Sequence, residues 1–151
     1  MRISDFLNES LITVSLNHTD KTGIIEELLD LAVESGKIVN RSDALKAVLD
    51  REALMSTGLE KGIAIPHAKS STAKEICMSL GVSKMGIDFD SADGKPSHLI
   101  FFLLAPEAAA GQNVQMLAQI ARLTGDPSFC EALESAQSAA EAYEIIRKAE
   151  S

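Results

Sequence analysis

The six residues Leu99-Ile100-Phe101-Phe102-Leu103-Leu104 are apolar at every position. Successive side chains of a strand point to opposite faces, so such a strand cannot turn either face to water. With Ala105 added, the run is still far too short to cross a bilayer. It predicts the central strand of a sheet covered by helices on both faces, ended by Pro106.

The flanking chain supplies those helices. Thr19 and Asp20 are helix-capping types, and Ile24, Ile25, Leu28, Leu29, Ala32 and Val33 follow at helical spacing. Gly36 is placed to end that helix in a left-handed conformation. A second helix is expected from about Ser42, with Leu45, Val48 and Leu49 as its buried stripe. Val114, Leu117, Ala118 and Ala121 mark a third, closed by Gly125. Asp126-Pro127 opens a fourth, and Ser138-Ala139-Ala140-Glu141 reads as the capping box of a fifth, with Ala142, Ile145, Ile146 and Ala149 inward.

Further strands are expected at Leu11–Leu16, from its alternation, at Ile63–Ile65 and at Ile76–Val82. Ile87 and Phe89, followed by Ser91-Ala92-Asp93-Gly94, suggest a hairpin return. Strands and helices intermix, with no repeat, linker or low-complexity tract. The expectation is an α/β fold: one domain over residues 1–151, with a mixed sheet sandwiched between helices (α/β/α).

Charge narrows the function classes. The chain is 46% hydrophobic and 24% charged, as in folded proteins, and carries a formal net charge of −8. No cluster of Lys or Arg is available to neutralise phosphates along a duplex, and aromatics for base stacking are few, so nucleic acid is excluded. Met1 to Ser10 lacks the basic start and apolar core of a signal peptide, which makes the cytoplasm the expected location and membrane insertion unexpected. Cys77 and Cys130 have no metal or redox spacing and read as free, buried thiols.

The stretch Gly62-Ile63-Ala64-Ile65-Pro66-His67-Ala68 is the candidate site. Pro66 fixes its own φ and biases Ile65 towards an extended shape, so His67 is delivered by a stiff segment as a strand gives way to a loop. An imidazole held in this way is suited to meeting a ligand, although Pro-His also occurs as a plain strand terminus. His18 reads as a solvated loop residue and His98 as a polar residue at a strand end. The three histidines lack metal-ligand spacing, and no Walker loop, dinucleotide fingerprint or Gly-x-Ser-x-Gly occurs, so no metal or cofactor is expected.

The run Arg51-Glu52-Ala53-Leu54-Met55-Ser56-Thr57-Gly58-Leu59, continued by Gly62 to Ala68, resembles the active-site signature of type-2 enzyme IIA domains. These form the fructose, mannitol and nitrogen-regulatory branch of the bacterial phosphoenolpyruvate-dependent sugar phosphotransferase system. The resemblance extends through Phe101-Phe102-Leu103-Leu104-Ala105-Pro106-Glu107 and the helix around Val114 to Leu123, and so covers nearly the whole chain.

What the resemblance implies is a phosphoryl relay. His67 would accept the group from HPr, or from an HPr-like carrier of the nitrogen branch. It would pass the group to a IIB domain, or hold it as a signal read by target proteins. A neutral imidazole offers a lone pair without a separate base. Arg51 stands where the family carries its active-site arginine, and its forked guanidinium matches phosphate oxygens, though it could equally cap its own helix. Thr57 and Gly58 could donate hydroxyl and backbone N–H groups to the phosphate, or form only a tight turn.

Two positions depart from the family pattern. Asn113 occupies the place of a second histidine found in many members. An amide can hydrogen-bond there but cannot carry the proton, and Asn113 could instead be simply a helix N-cap. Glu60 replaces a small residue, and a carboxylate beside a phosphohistidine would repel it unless turned to solvent or paired with Lys61. The alternative to a carrier is a regulatory binding module with the same fold that has lost transfer. No fused HPr, IIB or membrane domain accompanies the 151 residues, which tilts the expectation towards the regulatory branch.

Overall fold

The structure, a computed structural model, describes residues 1–151, and four of its five helices begin where a short polar side chain takes up a free backbone N–H. Asp20 accepts from Gly23 to open α1 (Lys21–Glu34), and Asn40 accepts from Asp43 to open α2 (Arg41–Leu54). Asp126 opens α4 (Pro127–Glu134), and Ser138 opens α5 (Ala139–Ala149). Only α3 (Ala110–Thr124) lacks a side-chain cap, because the chain enters it through a 3-10 turn at Glu107–Ala109.

Five strands form one mixed sheet. They are β1 (Ile12–Thr13), β2 (Ile63–Ala64), β3 (His67–Lys69), β4 (Cys77–Ile87) and β5 (Ser97–Ala105). The order is β1-β4-β5-β2, with β3 also on β5; β4 and β5 are antiparallel and the other pairs parallel. The all-apolar run is β5, and it is central. Its alternate residues enter two separate cores. Leu99, Phe101, Leu103 and Ala105 pack with Met116 and Ile120 of α3, Leu133 of α4 and Ile146 of α5. Ile100, Phe102 and Leu104 pack with Ile24, Leu28 and Leu29 of α1 and Val48 of α2. Phe101 and Phe102 are neighbours in sequence, both fully buried, on opposite faces of the sheet. Burying each contributes about 2–3 kcal/mol relative to an exposed ring. The α/β/α arrangement follows from this one strand.

Several elements differ from the sequence reading. The strand expected over Leu11–Leu16 pairs only at Ile12 and Thr13. A 3-10 turn holds Glu9–Leu11, and the Thr13 hydroxyl accepts the Ser15 N–H, turning the backbone away from the ladder. The hairpin return is present, with Gly94 N–H donating to Ser91 O, but it joins two long strands. In α5, Ala149 is exposed, and the Glu141 carboxylate reaches the Gln137 N–H instead of the Ser138 N–H of a capping box.

The phase of α3 is the larger correction. Val114, Ala118 and Ala121 are exposed, and the buried stripe is Asn113, Met116, Ile120, Leu123 and Thr124. The alanines gave no strong hydrophobic signal, and the stripe includes a polar residue that periodicity would have assigned outward.

Candidate functional site

His67 does not stand where a strand gives way to a loop. Edge strand β2 stops after Ala64, Pro66 interrupts the pairing, and His67 begins β3 in register with Leu103. Pro66 has no N–H to give, yet its carbonyl accepts from Leu103 at 3.0 Å, so the chain resumes alongside β5 without leaving the sheet. This break sets the ring. Nδ1 of His67 lies 2.7 Å from the carbonyl oxygen of Ile65. A carbonyl can only accept, so Nδ1 carries the hydrogen and Nε2 keeps the free lone pair.

The half-buried ring lines an open cavity of about 500 Å³ together with Asp50, Arg51, Leu54, Lys69 and Asn113. Arg51 comes from the last turn of α2, where its Nη1 donates to Met55 O at 3.0 Å, just past the helix end. That bond ties down a terminal carbonyl and leaves the other guanidinium donors for a ligand. The cap and the anion-binding roles are therefore compatible. Lys69 is two residues along β3 from His67, on the same face, and adds a second cation. Alternation from His67 onward would have revealed it had the strand been expected to continue past Pro66. Asp50 is the one acid in the lining, and Lys46 pairs with it at 2.5 Å.

Asn113 faces the same cavity from the end of the first turn of α3. It is only 6% exposed, and its Oδ1 is the one buried side-chain polar atom without a hydrogen-bond partner. It is not an N-cap, since the helix begins three residues earlier at Ala110.

Thr57 and Gly58 do not line the cavity. Thr57 is buried, its N–H donates to Glu52 Oε2 at 2.6 Å, and its hydroxyl donates to Glu52 Oε1. Gly58 N–H donates to Ser56 Oγ at 3.0 Å. A Cβ on Gly58 would meet Ser91 Oγ at 2.6 Å and Phe89 O at 2.7 Å, so glycine is required by packing against that segment. These donors are engaged within the protein and none is free for a phosphate. Glu60 is exposed and lies on other surface pockets, away from His67.

The other titratable groups stand apart. His18 pairs with Glu27 at 2.5 Å, and that hydrogen bond raises its pKa above the ordinary value. Nδ1 of His98 donates to Ser83 O at 2.8 Å near the start of β5. Burial pushes the Cys77 thiol up to about 11, so it is inert at neutral pH, and Cys130 is buried too. No group of three His, Cys, Asp or Glu is gathered for a metal, and no helix is long and apolar enough to cross a membrane.

Residues 5–149 match the family described as phosphoenolpyruvate-dependent sugar phosphotransferase system, EIIA 2. The chain belongs to this EIIA family. It is 36% identical over 144 residues to a fructose-specific EIIA component of Haloferax volcanii, covering 95% of this chain and 94% of that one. It is 32% identical to a fructose-specific EIIABC component of Bacillus subtilis, covering 98% of this chain but 23% of that longer protein. Among solved structures, the nitrogen regulatory protein IIA-Ntr of Neisseria meningitidis superposes with a TM-score of 0.88 at 33% identity. That match covers 95% of this chain and 98% of that one. The EIIA chain thus resembles both sugar-specific and nitrogen-regulatory relatives, and a phosphocarrier or regulatory role within the phosphotransferase system follows from the family.

Proposed function

We propose that this EIIA protein carries a phosphoryl group on Nε2 of His67, taken from the phosphohistidine of HPr or an HPr-like carrier. It is passed to a IIB domain or retained as a signal for regulated target proteins. The observation behind the choice of nitrogen is the Nδ1–Ile65 hydrogen bond, which leaves Nε2 as the nucleophile. As the Nε2–P bond forms, the donor's N–P bond breaks. Nδ1 keeps its hydrogen, and the Ile65 carbonyl meets the positive charge on the ring. No separate base is needed.

Phosphoryl transfer is mostly positioning and charge stabilisation, and the cavity is equipped for both. Arg51 offers a planar fork to the equatorial oxygens, and Lys69 adds a point charge on the same side. Asn113 supplies an amide that orients without titrating. Leu54 of the cavity lining, its chain neighbour Met55, and Val114, which follows the lining residue Asn113, are 84%, 71% and 65% exposed. Large apolar side chains exposed at and next to the site suit docking of a carrier protein. Val114, next in sequence to the cavity-lining Asn113, points to solvent and not into the α3 core.

The test is to incubate the protein with phosphoenolpyruvate, enzyme I and HPr and to seek an acid-labile phosphoryl group. The expected result is label on wild type and none on His67→Ala. Absence of label on wild type with several cognate carriers would overturn the carrier reading in favour of a binding module without transfer.

A further inference from the structure

A line of hydrogen bonds runs from the buried face of α2 to the His67 ring. Glu52 is 7% exposed, and both its carboxylate oxygens accept from Thr57, one from the N–H and one from the hydroxyl. The Thr57 carbonyl accepts the Ile65 N–H at 3.1 Å. The Ile65 carbonyl accepts Nδ1–H of His67 at 2.7 Å. We propose that Glu52 is a positioning residue for His67, fixing through Thr57 and Ile65 which ring nitrogen faces the cavity.

Each link has a physical reason to be stiff. Hydrogen bonds to a carboxylate are stronger than neutral ones, and two of them on one residue fix Thr57 in both position and rotation. Lys21 Nζ lies 3.6 Å from Glu52 Oε2, so the buried charge is not left alone. The far side of the loop is pinned as well: Ser56 donates to Phe89 O, and Gly58 O accepts the Ala92 N–H at 3.3 Å. Thr57 therefore cannot follow the solvent. It holds the Ala64–Ile65 peptide, and the limit that Pro66 places on ψ of Ile65 carries that hold to the carbonyl that selects the imidazole tautomer. Pro66 stiffens the step between Ile65 and His67. One turn of α2 thus does two things: Arg51 faces the incoming group and Glu52 orients the nucleophile.

The inference deepens the carrier reading and rests on it for its kinetic consequence, but its spectroscopic consequence is independent of transfer. In the unphosphorylated protein, nitrogen-15 NMR of wild-type His67 should show Nδ1 protonated and Nε2 bare. Glu52→Ala should give a mixture of tautomers at His67 alone, with His98 unchanged, and phosphoryl acceptance about tenfold slower or more. Glu52→Gln, which keeps one acceptor oxygen, should restore part of both. If Glu52→Ala does not fold, Thr57→Val carries the test, since it removes one donor and should shift the tautomer in the same direction. A folded variant with wild-type tautomer and rate overturns the proposal. A wild type that takes no phosphoryl group overturns the carrier reading, while the tautomer comparison still decides the role of Glu52.

Discussion

Arg51 and Glu52 are consecutive in α2 and serve opposite surroundings: Arg51 lines the open cavity beside His67, whereas Glu52 is buried against Thr57. A helix turns about 100° per residue, so adjacent positions can divide in this way between a ligand and the protein interior.

Arg51→Ala should slow phosphoryl acceptance by about a hundredfold, the scale for losing one well-placed donor to a charge-developing centre. Arg51→Lys should be intermediate, since an ammonium keeps the charge without the fork. Rapid-quench kinetics with phosphorylated HPr measures this. Thermal stability should fall by only about 1 kcal/mol, the worth of the bond to Met55 O. A rate unchanged in Arg51→Ala would leave Arg51 as a helix cap only.

Asn113 sets function against stability. Its buried Oδ1 without a partner costs about 1–3 kcal/mol. Asn113→Leu, similar in size and free of that atom, should raise the denaturant midpoint while slowing transfer. Asn113→His should speed transfer to a IIB partner by restoring a group that can hold charge. A slower Asn113→His protein would mean that the cavity is fitted to the amide.

Val114 and Met116 lie two residues apart on opposite sides of α3. Met116→Ala should cost about 2–5 kcal/mol, as for other buried large-to-small changes. Val114→Ser should leave stability within about 0.5 kcal/mol, as for other exposed positions. It should nevertheless raise the HPr concentration needed for half-maximal phosphorylation. Equal half-maximal concentrations for Val114→Ser and wild type would remove the apolar rim from the docking surface.

Near the C-terminus, Glu150 accepts the N–H groups of Ile3 and Ser4 at 2.7 and 2.9 Å and the Gln119 amide at 2.7 Å, so it clasps the two ends of the chain. Burial pushes its carboxyl up, but the bonds from Gln119, Ser4 and Ile3 outweigh that and hold it below the ordinary 4.5. The clasp therefore contributes fully above that value and is lost as pH falls through the depressed one. Glu150→Gln should destabilise by about 1 kcal/mol at pH 7 and flatten the melting-temperature profile on the acid side. An unaltered acid profile would place the acid sensitivity in other carboxyls.

Much of the fold was legible because its decisive residues act locally. A strand apolar on both faces admits only a sandwiched position, and Asp20, Asp126 and Ser138 announce helix starts by their own side chains. The family signature pointed to His67 and Arg51, and the structure brings both to one cavity. What stayed hidden depends on tertiary partners. Glu52 looks like any surface glutamate until Thr57 folds back on it, and that same bond removes the donors expected from Thr57 for a phosphate. Lys69 was missed because Pro66 read as the end of a strand, whereas only its N–H is lost and its carbonyl still pairs.

That interruption has a further effect, on self-association. β2 and β3 form an outer edge of the sheet, and an open edge invites pairing with another molecule. Here the Thr57–Leu59 loop covers β2, through Ile65 N–H to Thr57 O and Leu59 N–H to Ile63 O, and Pro66 offers no donor. Along this edge no stretch longer than the three residues of β3 is left to template a neighbouring strand. The break that sets the histidine also guards this edge of the sheet against edge-to-edge aggregation.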